Sequence, residues 1–375
     1  MNKTTMTRLD FLRGFGAAAT LAAAPGTLVA AVPRPRLDPN LTLLFSDSHV
    51  NGHQDAYPQY EGKSLADVVK RVLALDPLPA RAIHFGDLAY LWGHKEDYAH
   101  ARDLLKPLVD AGIKLTIGMG NHDRRSAFLE SFPEYAETTK IPGRIVSVVD
   151  AGAVDFIMLD GLMGADDRGP KDMGPGGGAL CRAQQDWLAA ELPKWRKPVF
   201  VCSHWPVGGL RIGNGKMHKF LIRQPMVAGY IHGHDHRWRK DVEWESWSSP
   251  RLLKTLCLPS TGHWGDIGFA LLRTEGSLAK VALRQHDFYF PCPDPHEPGE
   301  NRALRRINVE ENRGLSCSFT LPRARAECER TSHTKTSGHF LCGPNGVAQK
   351  SRKSLKSYGV KSCPPGRTCP PTCPR

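Results

Sequence analysis

Five short apolar runs along the chain end in the same way, in polar residues able to hold a metal or move a proton. "LTLLF" runs into Ser46, Asp47, Ser48 and His49, and "ARAIHF" into Gly86 and Asp87. "KLTIGM" runs into Gly120, Asn121, His122 and Asp123, and "PVFVC" into Ser203 and His204. "GYI" runs into His232, Gly233, His234, Asp235 and His236. Short apolar runs bounded by turn residues predict buried strands. Between them, Leu65, Val68, Val69, Val72 and Leu73 fall on one helix face. A second helix is expected over "YAHARDLLKPLVDAG", kinked or shortened by Pro107. A third, "RAQQDWLAAELPKW", turns Trp187, Leu188 and Leu192 inward. "GRIVSVVDAGAVDFIMLDG" reads as a hairpin about a glycine-containing turn, and the stretches "RLLKTLCLPSTG" and "GFALLRTEGSLAKVALRQHDF" add late strands. Strands alternating with helices predict an α/β layered fold, with mixed sheet content.

Composition changes this picture little for the body and much for the ends. Of 375 residues, 41% are hydrophobic and 23% charged, enough to bury a core. The net charge of +12 would suggest a polyanion partner, but it is concentrated in one place. Residues 299–375 carry 15 Lys and Arg against 5 Asp and Glu, while 1–298 carry 35 against 33. No nucleic-acid binding is therefore expected from the body. Three cysteines (Cys181, Cys202, Cys257) are scattered through it before Cys292 and the other seven lie from Cys292 onward, so no disulfide framework is expected there. Cys202 and Cys257, in apolar runs, are expected as buried free thiols.

The N-terminus, "TRLDFLRGFGAAATLAAAPGTLVAA", has a basic start, an apolar stretch and a small-residue exit, the pattern of an export signal. It resembles a twin-arginine signal, with Leu9 where the second arginine would stand. We divide the chain into a signal candidate (1–31), a linker (32–40), a folded body (41–298) and a basic tail bearing Cys and Pro (299–375). The tail lacks periodicity and is expected to be mostly disordered. The protein is expected to be periplasmic or secreted, with the tail as the part that would contact anionic envelope components. Two glycine-rich loops, 161–180 and 205–224, flank the polar tips as connectors or pocket rims.

The five tips belong together. In an open α/β sheet, ligands bind beyond the carboxyl ends of the strands, and each tip lies just past such an end. Leaving His122 aside, they offer Asp47, Asp87, Asn121, His49, His204, His234 and His236. Imidazole with carboxylate suits Zn, Mn or Fe rather than Mg or Ca. Seven ligands are too many for one tetrahedral ion and fit two ions sharing a bridge.

In this order, "DSH", "GD", "GNHD", "SH" and "GHDH" resemble the motifs of the calcineurin-like metallophosphoesterase family, over about residues 41–290. "GALCRAQQDWLAAEL" resembles the segment before the fourth motif. The resemblance implies a four-layer α/β/β/α sandwich with two mixed sheets, of the metallo-dependent phosphatase type. It implies two divalent or trivalent transition-metal ions. Asp47, His49 and His236 would hold the first, Asn121, His204 and His234 the second, and Asp87 would bridge them. His122 would act as general acid at the leaving group, with Asp123 orienting and charging its imidazole. "GNHDRR" is similar to the "GNHDxR" form of the family's cyclic-nucleotide phosphodiesterases, which nominates Arg125 as a phosphate contact and tilts the expectation towards a diester. His53, His84, His94, His232 and His263 have no matched position and are left as structural or rim residues.

The function so implied is hydrolysis of a small phosphate ester by a metal-activated hydroxide. Two other classes compete with it. One is a non-catalytic metal-binding scaffold of the same fold that binds a partner protein, and no metal position here is eroded in that direction. The other is an envelope-binding protein acting through the tail. A purple-acid-type phosphatase is disfavoured because Tyr90 is the only tyrosine near Asp87, three residues on.

Overall fold

Leu41, Leu43 and Phe45 bury on one side of the first strand and Leu44 on the other. A run apolar on both faces belongs to a sheet covered on both sides. The same alternation recurs at Phe200 and Cys202 against Val199 and Val201, and at Phe156 and Met158 against Ile157. The computed structural model describes residues 35–52, 62–163, 178–213, 215–246, 249–262, 264–289 and 308–324. The signal candidate, most of the first glycine-rich loop, His53, His263 and residues 325–375 lie outside the described residues.

The chain opens with β1 (Leu37–Phe45), α1 (Lys63–Leu73), β2 (Leu78–His84), α2 (Lys95–Asp110) and β3 (Lys114–Ile117). Two short helices follow, α3 (Arg125–Ser131) and α4 (Glu134–Thr138), then the expected hairpin, β4 (Ser147–Ala151) and β5 (Val154–Met158). Next come α5 (Arg182–Glu191), β6 (Val199–Cys202), a small hairpin of β7 (Arg211–Ile212) and β8 (Gly215–Lys216), α6 (Met217–Ile222) and β9 (Val227–His232). The last strands are β10 (Arg239–Ser246), β11 (Ser249–Cys257), β12 (Gly265–Glu275), β13 (Leu278–Tyr289) and β14 (Ser316–Thr320).

Two six-stranded sheets result, ordered β14-β13-β12-β1-β2-β3 and β10-β11-β9-β6-β5-β4. Both are mixed: β1, β2 and β3 run parallel in the first, as do β5, β6, β9 and β11 in the second. One core, with Leu44, Ile83, Phe156, Phe200, Ile231 and Leu272, lies between the sheets. A second joins the first sheet to α1, α2 and α3 through Leu65, Val68, Leu105 and Phe128. A third joins the second sheet to α5 and α6 through Leu188, Val201, Leu221 and Tyr230. The order of layers is α/β/β/α, as the resemblance implied.

Three details depart from expectation. Helix α2 passes through Pro107 to Asp110. The carbonyl left without its helical donor is that of Asp103, which is exposed and can be met by water. Trp187 is only half-buried, while Leu188 and Leu192 are fully so. The third departure is a correction to the tail. Residues 308–324 are ordered, and β14 pairs antiparallel with β13 from Leu278↔Thr320 to Ala282↔Ser316. Cys317, Phe319 and Leu321 enter the core between the sheets, and the Phe319 ring meets Phe200 edge-on at 5.0 Å. The segment "SCSFTL" alternates polar and apolar as a one-sided edge strand should. Its basic, proline-bearing surroundings concealed that alternation. Cys202 and Cys257 are buried free thiols, as is Cys317.

Candidate metal centre

The five polar tips lie at the carboxyl ends of β1, β2, β3, β6 and β9, three from one sheet and two from the other. The ladder between β1 and β2 continues beyond the strands. Asp47 N–H donates to Gly86 O and His49 N–H to Asp87 O, both at 3.0 Å. These bonds hold the first two motifs side by side. Gly233 N–H donates to His204 O at 3.1 Å, joining the fourth motif to the fifth. Two glycines permit close approach. A Cβ at Gly120 would strike the Asp87 carboxylate, and one at Gly233 would strike Ser46 Oγ.

Backbone strain is concentrated here. The non-glycine residues with positive φ among those described are Asp47, His49, Asp87, Leu91, His234 and His236. Five are expected metal ligands, and the carbonyl of the sixth, Leu91, accepts Nδ1–H of His122 at 3.1 Å. A left-handed conformation costs a non-glycine residue about 1–2 kcal/mol. Its confinement to these positions marks them as held in place for their side chains.

The side chains converge in two groups, and a third of His49, Asp87 and His122 shares a residue with each. Asp47, His49 and His236 form one, and Asp87, His204 and His234 the other, each with ligand atoms within 4.8 Å of one another. His236 Nδ1–H donates to Trp264 O at 3.2 Å. Its Nε2 lone pair then faces His49 Nε2 at 3.1 Å and Asp47 Oδ1 at 3.2 Å. His204 Nδ1–H donates to Phe85 O at 3.1 Å. Its Nε2 lies 3.0 Å from His234 Nδ1, 3.0 Å from Asn121 Oδ1 and 3.2 Å from Asp87 Oδ2. Asp87 Oδ2 is also 3.8 Å from His49 Nε2, so this carboxylate borders both groups. Backbone carbonyls that fix a histidine's tautomer and leave its other nitrogen free are the usual support of a metal-binding imidazole. The donor set therefore fits transition ions.

The electrostatics run the same way. Burial opposes charge on Asp47 and Asp87. Even so, His236 and His204 hold Asp47, and His204 and His122 hold Asp87, below the ordinary carboxylate range. Burial likewise opposes charge on His204, yet Asp87 and Asp47 pull it up to about 9. Burial keeps His49 neutral and lowers His234 to about 4. Two buried carboxylates thus demand positive charge at the point where several imidazole lone pairs meet.

His122 stands at the edge of the cluster, with its side chain 23% exposed and Nε2 3.9 Å from Asp87 Oδ2. Asp123 does not orient it. The Asp123 carboxylate accepts N–H bonds from Asp87 (2.8 Å), Ala89 (3.2 Å) and Gly120 (2.8 Å) and the Tyr98 hydroxyl bond at 3.1 Å. It pins the second motif to the third, and Leu91 O orients the imidazole instead. Burial, and then Asp87, raise Asp123 to about 6 against the bonds from its donors. Arg125 departs from expectation as well. It is buried, with Nε and Nη2 on the Asp160 carboxylate at 2.6 and 2.8 Å and Nη2 on Leu162 O at 2.5 Å. Its guanidinium is turned into the protein.

Sequence reasoning missed Leu91, Tyr98 and Asp160, whose parts depend on distant partners. It also missed a buried chain behind β1. His84 Nδ1 accepts Gly86 N–H at 3.2 Å, so His84 Nε2–H donates to Ser48 Oγ at 2.8 Å. Ser48 continues to Thr261 Oγ1 at 2.7 Å, which donates to Ser46 O at 3.0 Å. His84 and His232 are buried within the fold, as expected of structural residues.

A profile for calcineurin-like phosphoesterases matches residues 41–238, more than half of the chain. The chain is 27% identical over 290 residues to a protein of Rhodopseudomonas palustris named as a probable cyclic nucleotide phosphodiesterase, covering 74% of this chain and 92% of the relative. Among solved structures it is similar to TT1561 of Thermus thermophilus, at 14% identity and a TM-score of 0.38, over 62% of this chain and 94% of that one. It is also similar to Vps29 of Entamoeba histolytica complexed with zinc, at 16% identity and a TM-score of 0.32, over 65% and 92%. With the motifs, the four layers and the profile in agreement, the chain belongs to the calcineurin-like phosphoesterase family.

Proposed function

We propose that this protein hydrolyses a phosphodiester with the help of two transition-metal ions of the Zn, Mn or Fe kind. The observation that carries the proposal is the meeting of five strand ends, from two sheets, in one buried set of carboxylates and free imidazole nitrogens. Asp47, His49 and His236 would hold one ion, Asn121, His204 and His234 the other, with Asp87 between them. Such a pair, when bound, supplies Lewis-acid charge against the phosphate oxygens and activates water.

The chain's own residues do the rest. Asp123 and Tyr98 hold the third motif in register with the second. The Leu91 carbonyl fixes the His122 tautomer and leaves Nε2 directed towards the cluster, where it can pass a proton to the departing alkoxide. The partial exposure of His122 suits a group that meets substrate. "GNHDRR" and the relative named as a cyclic nucleotide phosphodiesterase support a diester over a monoester. The N-terminal pattern supports a periplasmic or secreted enzyme.

Elemental analysis of the full chain, with turnover of bis(p-nitrophenyl) phosphate and p-nitrophenyl phosphate, tests this. About two transition ions per chain are expected, with faster turnover of the diester, and Asn121→Ala should lower both metal content and rate. Metal without turnover of either ester would favour the scaffold that binds a partner protein. Failure to bind metal after reloading would overturn the proposal.

A further inference from the structure

A large aromatic side chain stands uncovered against the cluster. Trp264, on the turn between β11 and β12, is 43% exposed. Its carbonyl accepts the His236 Nδ1–H bond, and its indole lies against that imidazole with centroids 4.4 Å apart and planes at 56°. His236 in turn meets the His49 ring at 4.9 Å. The turn is held tightly. Gly265 has φ +81°, and a Cβ there would strike His236 O. The Asp266 N–H donates to the same carbonyl at 2.8 Å, and the Asp266 carboxylate accepts Trp238 N–H at 2.7 Å.

The indole therefore has a fixed place one ring away from the groups proposed to hold metal, with much of its surface in water. Covering His236 accounts for one part of the indole only. His236 is only 3% exposed, while 43% of the tryptophan stays open to solvent. Tyr289 is the other strongly exposed aromatic among the described residues, and it closes β13 rather than adjoining the cluster. An open, rigid aromatic face beside a phosphate site is what a base needs for stacking.

We propose that Trp264 is a stacking platform for a nucleobase, so that the esters taken by this site are nucleotide esters. The inference rests on the reading of the cluster as a phosphate-binding metal centre. Every base presents a π face, so the platform senses that a base is present rather than which base it is.

The test is calorimetric titration of the manganese-loaded full chain with adenosine 5′-monophosphate and with ribose 5-phosphate, which share the phosphate and differ in the base. Wild type should bind the adenine compound about tenfold more tightly or better. In Trp264→Ala that ratio should fall towards one with metal content retained, and Trp264→Phe should keep several-fold of it. An unchanged ratio in Trp264→Ala would overturn the platform, as would a parallel loss for both ligands or loss of metal. So would the absence of binding by wild type. Turnover of bis(p-nitrophenyl) phosphate, measured on the same samples, separates the two claims. A preserved binding ratio without turnover would remove the hydrolase reading and leave the platform standing.

Discussion

Arg125 with Asp160, and Asp47 with Asp87, are buried charged groups that the fold satisfies by opposite means. Asp160 has its counter-charge within the chain: a two-pronged guanidinium, plus N–H bonds from Ile145 at 2.9 Å and Leu162 at 3.1 Å. Asp47 and Asp87 face imidazoles packed 3.0–3.1 Å apart, two of which, His236 and His204, are turned inward by backbone carbonyls. A buried carboxylate requires compensation by charge and hydrogen bonds. Where the chain supplies the cation, the group is part of the structure. Where it supplies imidazoles, of which His204 is raised while His49 and His234 are lowered, a cation from outside can take the place of the proton on His204.

The largest effect should follow from removing the charge shared by both halves of the cluster. Asp87→Asn keeps an acceptor for His122 N–H but lowers metal content and should reduce kcat/KM for a diester by about a thousandfold or more. Retention of both by this variant would break the distinction. Next in size is the structural pair. Arg125→Met leaves Asp160 buried without its cation and should cost roughly 3–5 kcal/mol in urea unfolding of the metal-free protein. Arg125→Met combined with Asp160→Leu should recover part of that, the N–H groups of Ile145 and Leu162 remaining unmet. A loss under about 1 kcal/mol for the single variant would place Arg125 nearer the surface pairs.

A smaller effect concerns pH. His204 is raised from 6.5 to about 9, so a proton occupies it at neutral pH when no metal does. The stability it contributes to the metal-free fold is present in full below pH 6.5 and lost as pH rises through 9. Metal must displace that proton. Its apparent affinity should therefore climb up to about tenfold per unit between pH 7 and 9, then level off, with proton release seen in buffers of different ionisation enthalpy. A flat profile would mean that His204 is not a ligand. The smallest effect is the control: Arg182 and Asp186 make the same kind of pair at 2.9 Å on the exposed face of α5. Arg182→Ala should change stability by no more than about 0.5 kcal/mol.

The strand ends were legible because two signals coincide there. An apolar run with alternating burial predicts a strand, and the abrupt change to Asp, Asn and His marks its end. Hence Asp47, His49, Asp87, Asn121, His204, His234 and His236 could be grouped before any geometry was known, and the structure brings them to one place. The neighbours in the third motif were not legible in this way. Asp123 looks, in sequence, like the partner of His122, but its oxygens meet N–H groups more than thirty residues away. Arg125 looks like a phosphate contact until Asp160 is brought beside it.

By itself the sequence determined the alternation of strands and helices, the residue types able to hold a metal, and their order at the strand ends. These depend on local periodicity and on the chemistry of each side chain. Only the tertiary structure decided which of those side chains share a boundary at Asp87, and that six left-handed residues aim them or orient His122. It also decided that Arg125 compensates Asp160 and that "SCSFTL" closes the edge of a sheet. Each of these depends on contacts between segments far apart in the chain, where burial, counter-charge and strand pairing are set by neighbours that no local pattern names.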